Sequence, residues 1–259
     1  MDLIKVLQLI FLCLLPCHVF AIEAPNEVYR IESRTPDYIF EHGFSSWGES
    51  IELLRHVNGE SLIDRTSGLI STSSDYDVMR SIAINYLINE GHHNEVLWIY
   101  TITPGYQFHD VNGSLLHANM LSEGGIIAGQ TLYTYANFAH EEEFAAEGHI
   151  LPSQVRSAVS ARYMRLPNGE EIVYIDNDNG VSNPQYVPTP ASISTEFLPV
   201  IPMPSDFPVY YAGDLRWHPV TASLDVHECV GVGGQIECEK TLFSTTIEVI
   251  KRKVFATFN

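Results

Sequence analysis

Short runs of β-branched and aromatic residues recur along the chain, and each lies beside a turn signal or a helical pattern. The clearest are EVYRI at 27–31, RTSGLISTSSD at 65–75, EVLWIYTI at 95–102 and EEIVYIDN at 170–177. Runs of this length and composition favour β-strands. Between them, Pro36 can begin a helix that Gly43 ends, and DYDVMRSIAINYLIN at 75–89 carries Val78, Ile82, Tyr86 and Ile88 at helical spacing. The sequence predicts a mixed α+β fold without an internal repeat.

Prolines concentrate late in the chain. Seven of the 14 lie between Pro184 and Pro208. Proline lacks a backbone N–H and clashes with the preceding helical turn, so a helix is excluded here. We expect an extended segment that wraps over the rest of the protein.

The N-terminus has the pattern of an export signal. Lys5 precedes an apolar run from Val6 to Leu15, and Val19-x-Ala21 supplies a small-residue cleavage site. The sequence predicts a signal peptide over 1–21 and a protein secreted to the periplasm and then to the outside. This run is too short to cross a bilayer and no later apolar run is long enough, so no stable membrane span is expected.

The charge of the chain limits its partners. The formal net charge is −18, which repels nucleic acid phosphates and anionic lipid. No nucleic acid partner is therefore expected. An anionic ligand would have to be bound by a few well-placed arginines.

Two cysteines remain after the predicted signal, Cys229 and Cys238 in ECVGVGGQIECEK. In an exported protein the default for such a pair is a disulfide, and the glycines between them permit the turn. A metal site would need more ligands, and only His227 lies nearby. The prediction is a disulfide-closed loop over 229–238.

The last residues change character. Apolar side chains recur at spacings of 4, 3, 4 and 4, at Phe243, Ile247, Ile250, Val254 and Phe258. This stripe predicts a helix within 239–259 with one apolar face. The helix could pack on the core of this chain or dock into another subunit.

Three consecutive carboxylates occur at Glu141, Glu142 and Glu143. If HEEEF is a strand, Glu141 and Glu143 face one side and Glu142 the other. In reactions at a sugar, one carboxylate of such a pair can stabilise a cationic transition state, and the other can orient or deprotonate a nucleophile. Ordinary surface charge is the alternative. The segment lacks the second histidine of a zinc protease motif, so no metal is expected.

Four motifs appear in a fixed order. They are VYRIESRTPDYIFEHGFSSWG at 28–48, LLRHVNG at 53–59, LISTSSD at 69–75 and HEEEFAAEGHILPSQVR at 140–156. Together they resemble the catalytic A subunits of AB5-type ADP-ribosylating toxins, the group of pertussis toxin, cholera toxin and heat-labile enterotoxin. The first half is similar to pertussis toxin in particular. Each motif alone would be weak evidence.

The resemblance implies the ADP-ribosyltransferase toxin fold, with mixed β-sheets around an NAD cleft and a C-terminal tail helix. It implies a catalytic domain over 22–228. NAD would be the substrate: its nicotinamide–ribose bond would be cleaved and ADP-ribose transferred to a protein side chain. No metal is implied.

The resemblance also assigns roles to residues. Glu143 would stabilise the ribosyl cation, Glu141 would face the acceptor, and His56 would be the active-site histidine, although it could instead orient a backbone turn. The implied NAD-binding set is Tyr29, Arg30, Arg34, Trp47, Ser71, Thr72 and Ser73. Arg34 could alternatively pair with Asp37 or Glu32, and Trp47 could pack beneath the pocket.

The partners follow from the same resemblance. The Glu-x-Glu pattern accompanies arginine acceptors in cholera toxin, whereas pertussis toxin has Gln-x-Glu and modifies cysteine, so arginine is favoured here. The implied target is a host heterotrimeric G protein α subunit in the cytosol. Residues 239–259 would thread a pentameric B subunit. The alternatives are an NAD glycohydrolase and a secreted, non-catalytic binding module with this fold.

Overall fold

A computed structural model describes residues 24–122 and 125–202, and the backbone of residues 208–209 and 218–219, apart from the side chains of residues 62 and 63. The predicted signal peptide, the Cys229–Cys238 loop and the tail helix lie outside these residues. Within the described part of the chain, no helix is both long and apolar enough to cross a membrane.

The described strands are β1 Val28–Glu32, β2 Phe44–Ser45, β3 Leu69–Ser73, β4 Val96–Ile102, β5 Phe108–Asp110, β6 Glu143–Glu147, β7 His149–Ile150, β8 Val155–Arg165, β9 Glu171–Ile175, β10 Val181–Ser182, β11 Pro208–Val209 and β12 His218–Pro219. The α-helices are Pro36–His42, Leu53–Val57, Glu60–Ile63, Tyr76–Ile84, Val111–Leu121 and Gly125–Phe138. A π-helical turn spans Asn85–Asn89, and 3₁₀ turns span Ala139–Glu141 and Pro152–Gln154. The mixed α+β prediction is confirmed.

The main sheet has eight antiparallel strands in the order β10-β8-β4-β1-β3-β6-β5, with β9 also paired to β8. Strands β2 and β7 form a separate two-stranded sheet. Strand β4 lies in the middle of the sheet, and its sequence is nearly all apolar. The side chains of Leu97, Ile99, Tyr100 and Ile102 are fully buried. Each such side chain stabilises the fold by about 1.5 to 3 kcal/mol relative to an exposed one.

The sheet splits between β1 and β3. These strands pair only at Tyr29 and Ser73, whereas β1 pairs with β4, and β3 with β6, along their whole length. Beyond that single pair, Arg30 and Ile31 on one side separate from Ser71 and Thr72 on the other. We call this opening the β1–β3 cleft.

The helix Pro36–His42 follows its sequence signals. Proline occupies its first turn, and Gly43 ends it with a φ of 70°. A Cβ atom at Gly43 would lie 2.1 Å from the carbonyl oxygen of Ile150, so no other residue fits without moving the neighbouring chain. The predicted start and end of this helix are confirmed.

The predicted helix over 75–89 is only partly correct. It is α-helical as far as Ile84 and then widens into the π turn Asn85–Asn89. The wider turn rotates the following side chains, so Leu87 is fully buried in place of the expected Ile88. Ile82 and Tyr86 are buried as predicted.

The proline-rich segment is extended, as predicted, over residues 184–202, and it carries no helix or strand there. Its backbone bonds to several parts of the fold: Val187 N–H donates to Ser153, Ser192 N–H to Pro104, and Ser194 N–H to Phe108. Further along, Leu198 N–H donates to the Ser114 hydroxyl. The segment therefore wraps across the surface that it was expected to cover.

Asp110 caps the helix Val111–Leu121 by accepting the Gly113 N–H at 2.9 Å. Burial raises the pKa of this carboxyl, and backbone N–H bonds from Gly113 and Asn112 only partly oppose the effect. The folded protein therefore binds this proton more tightly than the unfolded chain. Stability from Asp110 is present at low pH and is lost as pH rises through the raised pKa.

Asp110→Asn should keep the cap but remove this ionisation. Only the wild type should lose the stability that comes from this proton as the pH rises. The free energy of unfolding of the variant, relative to that of the wild type, should therefore increase from about pH 3 to about pH 7. Urea unfolding across this range measures the difference. A difference that does not change with pH would contradict the assignment.

Candidate active site

Arg30 lies in the middle of β1 and is only 7% exposed. Its Nη1 donates to the Ser71 carbonyl oxygen at 2.8 Å, across the β1–β3 cleft. That carbonyl is available because the two strands have stopped pairing. Burial lowers the pKa of Arg30, and the nearby Glu32 carboxylate opposes the change. The Glu32 carboxylate beside it favours the charged guanidinium, so Arg30 gives the cleft a fixed cation.

Glu32 is fully buried and organises two arginines. Its Oε2 lies 3.6 Å from Arg30 Nε and accepts from Arg34 Nη2 at 2.6 Å, while its Oε1 accepts from Arg34 Nε. Burial would lower the pKa of Arg34, but the bond and charge of Glu32 outweigh it and raise the pKa. Arg34 thus pairs with Glu32, one of the two partners weighed from the sequence, and the bidentate contact fixes Glu32 beside Arg30.

His56 projects from the helix Leu53–Val57, whose other apolar side chains anchor it in the core, and its ring is fully buried. Nε2 lies 3.0 Å from Ser71 Oγ and 3.2 Å from Glu143 Oε1. Nδ1 lies 2.8 Å from Ser67 Oγ. The ring therefore joins β3 to the first residue of β6.

The prediction of a strand over HEEEF is wrong for the residues that precede Glu143. Residues Ala139–Glu141 form a 3₁₀ turn, Glu142 adopts left-handed backbone angles (φ 44°, ψ 47°), and β6 begins at Glu143. The side chains nevertheless divide as expected: Glu141 and Glu143 are buried and line the cleft, whereas Glu142 is exposed. A reversal of the backbone at Glu142 produces this division, not strand alternation.

Serine hydroxyls stabilise this turn. Ser73 Oγ donates to the Glu141 carbonyl at 2.6 Å, and Ser74 Oγ donates to the Glu142 carboxylate at 2.8 Å. Ser73 also faces Glu143 in the strand register. The end of β3 therefore positions the carboxylates that precede and begin β6.

Glycine adopts left-handed angles readily, whereas other residues pay about 1 to 2 kcal/mol for them. Glu142→Gly and Glu142→Ala both lose the contact with Ser74, so they differ mainly in this backbone cost. We expect the alanine variant to be less stable than the glycine variant by about 1 kcal/mol in thermal unfolding. Equal stabilities would show that the turn does not require these angles.

The β1–β3 cleft combines charge with an apolar wall. The polar lining comes from Arg30, Ser71, Thr72, Ser73, Glu141 and Glu143, and the apolar lining from Ile31, Val78, Met79 and Ile82. An apolar recess with a few converging polar groups is the usual form of a small-molecule site.

Three residues of the predicted NAD-binding set, Tyr29, Arg34 and Trp47, do not line the cleft. Arg34 pairs with Glu32 instead. Tyr29 packs edge-on against Tyr76 with ring centroids 5.2 Å apart, and Trp47 lies beneath the Arg65 guanidinium at 5.8 Å. The Thr72 hydroxyl donates to the Phe144 carbonyl, which leaves Ser71 as the side chain of this strand that meets His56.

Sequence reasoning missed Ser67 and the apolar wall of Met79 and Ile82. A signal for Ser67 was present in the sequence. Successive side chains of an extended segment alternate between its two faces, so Ser67, Ser71 and Ser73 are expected on the same face. Across residues 24–122 and 125–202, no group of three or more His, Cys, Asp or Glu side chains could hold a metal ion.

Residues 23–111 match the protein-family model described as pertussis toxin, subunit 1. Over 57 residues the chain is 39% identical to pertussis toxin subunit 1 of Bordetella pertussis and to its homologue in Bordetella parapertussis. That stretch is 21% of this chain and 21% of each of those proteins. The match therefore spans about a fifth of the length of these curated relatives.

Two solved structures share the fold over a larger part of the chain. EcPltA superimposes with a TM-score of 0.57 and 24% identity, over 71% of this chain and 100% of that one. The nicked CARDS toxin gives a TM-score of 0.55 and 23% identity, over 68% of this chain and 33% of that one. The resemblance predicted from the sequence is therefore confirmed: residues 23–111 relate the chain to the pertussis toxin subunit 1 family, and its fold is shared with EcPltA and the CARDS toxin.

Proposed function

We propose that this protein is an NAD-dependent protein mono-ADP-ribosyltransferase, the catalytic A subunit of a secreted toxin. One observation carries the proposal: Arg30, His56 and Glu143, which come from three separate sequence motifs, converge on one cleft. His56 contacts both Ser71 and Glu143, and Arg30 bonds to the backbone of Ser71. Pairing of β3 with β6 brings Ser71 and Glu143 to His56, and the split between β1 and β3 lets Arg30 reach Ser71.

The arrangement suits cleavage of the nicotinamide–ribose bond. As that bond breaks, positive charge develops on the ribose, and a carboxylate fixed beside it lowers the energy of the transition state. Glu143 is 3% exposed, so water screens its charge weakly. In this proposal Glu143 stabilises the ribosyl cation, and His56 orients the Glu143 carboxylate.

Arg30 supplies the positive charge that a dinucleotide diphosphate requires. A guanidinium presents a planar set of donors that matches phosphate oxygens. The chain as a whole carries a formal net charge of −18, so general attraction cannot concentrate an anionic substrate. Binding then depends on this local cation, whose position Glu32 fixes.

Glu141 is the proposed acceptor-facing carboxylate. It lies two residues before Glu143, is 5% exposed and lines the same cleft. A carboxylate there can attract a cationic side chain and accept its proton during transfer. This favours arginine as the modified residue, and a host heterotrimeric G protein α subunit in the cytosol as the target.

The proposed assembly is of the AB5 type. Residues 239–259 would thread a pentameric B subunit. Reduction of Cys229–Cys238 opens the loop but leaves the backbone continuous, so the catalytic part would leave either with its tail, by withdrawal from the ring, or after a protease cuts the loop. No lysine or arginine lies between these cysteines, which argues against cleavage there by a trypsin-like protease. Co-expression with a candidate B subunit, with and without residues 239–259, tests this assembly by co-purification.

The activity is tested by incubating reduced protein with labelled NAD and host-cell lysate, followed by mass spectrometry of labelled bands. Label on a G protein α subunit is expected, and the modified side chain distinguishes arginine from cysteine. Release of nicotinamide without any labelled protein would instead indicate an NAD glycohydrolase. Absence of both signals would favour a non-catalytic binding module with this fold.

A further inference from the structure

Ser67 is a buried serine just before β3, and the proposed reaction mechanism does not use it. It is 1% exposed, and its Oγ lies 2.8 Å from His56 Nδ1. The same oxygen accepts the Leu69 N–H at 3.1 Å and lies 3.2 Å from the Leu69 carbonyl oxygen. The hydroxyl is therefore held in place by the backbone of the strand that carries Ser71.

The role of Ser67 follows from which ring nitrogen of His56 carries the proton. An ionised carboxylate only accepts hydrogen bonds, so the nitrogen that faces Glu143 must carry a proton. That nitrogen is Nε2, which lies 3.2 Å from Glu143 Oε1 and 3.0 Å from Ser71 Oγ. The Ser71 hydroxyl can accept as well as donate, so a proton on Nε2 suits both neighbours. In a neutral imidazole the other nitrogen, Nδ1, is then an acceptor and needs a donor.

Ser67 is placed to be that donor. Its oxygen already accepts the Leu69 N–H, and its single proton can point to Nδ1 at 2.8 Å or to the Leu69 carbonyl at the longer distance of 3.2 Å. The shorter contact favours Nδ1. With the opposite tautomer, a bare Nε2 would face the carboxylate, and the two lone pairs would repel each other.

We propose that Ser67 is a positioning residue that donates to Nδ1 of His56 and so fixes the neutral tautomer whose Nε2–H is directed at Glu143. The inference rests on the proposed ADP-ribosyltransferase activity for its kinetic consequence. Ser67 acts through His56 and does not contact the reacting atoms. Its contribution is to keep the Glu143 carboxylate correctly oriented when the ribosyl cation forms.

Ser67→Ala tests the proposal. It leaves Nδ1 without this donor in a buried site, a loss that corresponds to a fall of about tenfold to a hundredfold in kcat for nicotinamide release. The KM for NAD should change little, because the residues that line the cleft are untouched. Ser67→Thr keeps the hydroxyl and should retain most of the wild-type kcat.

Ser61→Ala is the matched control. Ser61 is equally buried in the neighbouring turn, and its carbonyl accepts the Ser67 N–H, but its hydroxyl has no hydrogen-bond partner among the described residues. Wild-type kcat in this variant would show that loss of a buried hydroxyl from this turn is not itself harmful. If Ser67→Ala does not fold, Ser67→Cys replaces it, since a thiol is a weak donor of similar size and should also lower kcat.

The tautomer is read separately from activity, by ¹⁵N NMR of the His56 ring in the full chain. The expected spectrum shows a protonated Nε2 and an unprotonated Nδ1, and the Ser67→Ala spectrum shows this preference weakened. A proton on Nδ1 in the neutral wild-type ring would overturn the proposal. So would a folded Ser67→Ala variant with the kcat of Ser61→Ala. If the wild type released no nicotinamide, the proposed function would fail, and the NMR result alone would decide the role of Ser67.

Discussion

Glu143→Gln lowers nicotinamide release and protein labelling by about a thousandfold, if this carboxylate stabilises the ribosyl cation. The substitution preserves size and shape but removes the charge. Glutamine can still occupy the start of β6 and contact His56, so the KM for NAD should rise little. The loss should therefore appear in kcat, which is the signature of an interaction made mainly in the transition state.

Glu142→Gln is the control for this experiment. It makes the same chemical change one residue earlier, where the side chain is exposed and contacts Ser74. Its kcat should remain close to that of the wild type. Glu143→Asp should fail almost as severely as the glutamine variant, because one missing methylene withdraws the carboxylate from the ribose. Near wild-type turnover in either Glu143 variant would remove Glu143 from the proposed mechanism.

Arg30→Lys is expected to lower kcat/KM for NAD by about a hundredfold. The charge is retained, but a lysine ammonium cannot bond to the Ser71 carbonyl, approach Glu32 and present a planar donor pair at the same time. The defect should lie largely in KM, since Arg30 is proposed to bind the diphosphate. Titration of NAD at a fixed enzyme concentration separates KM from kcat.

Arg165→Lys makes the same exchange at the exposed end of β8 and should leave both constants unchanged. Thermal unfolding of both variants shows whether the Arg30 defect reflects lost binding or a damaged fold. An Arg30→Lys protein with normal KM would indicate that the cation of the β1–β3 cleft does not bind the diphosphate.

Local signals predicted the parts of the fold that depend on local chemistry. The apolar run at 95–102 forms β4, and the bounds of the helix Pro36–His42 follow from a proline that suits the first turn and a glycine that suits positive φ. The helices Val111–Leu121 and Gly125–Phe138 were not anticipated. Leu116, Met120, Leu121, Ile126 and Leu132 on these helices remain exposed, so their apolar residues do not trace the single buried face that identifies a helix in sequence.

The sequence predicted candidate residues for the site but not how they are arranged. The motifs brought Arg30, His56 and Glu143 forward as candidates. The opening that joins them arises because β1 and β3 pair at one position only, and strand register is a property of the whole sheet. The backbone reversal at Glu142 could not be predicted from the sequence either. A glutamate adopts positive φ only where surrounding contacts enforce it, and those contacts depend on the whole fold.

The extended segment of residues 184–202 is bonded directly to the helix that carries His56. The carbonyl of Pro199 accepts the N–H of Leu53 at 3.0 Å, and Leu53 is the first residue of the helix that carries His56. That N–H has no partner within its own helix, so Pro199 supplies the missing acceptor. A force that pulls residues 199–202 away would loosen the first turn of this helix before it disturbed the sheet. Tension on the C-terminal side of the chain would therefore reach the ring of His56 through one backbone bond and one turn of helix.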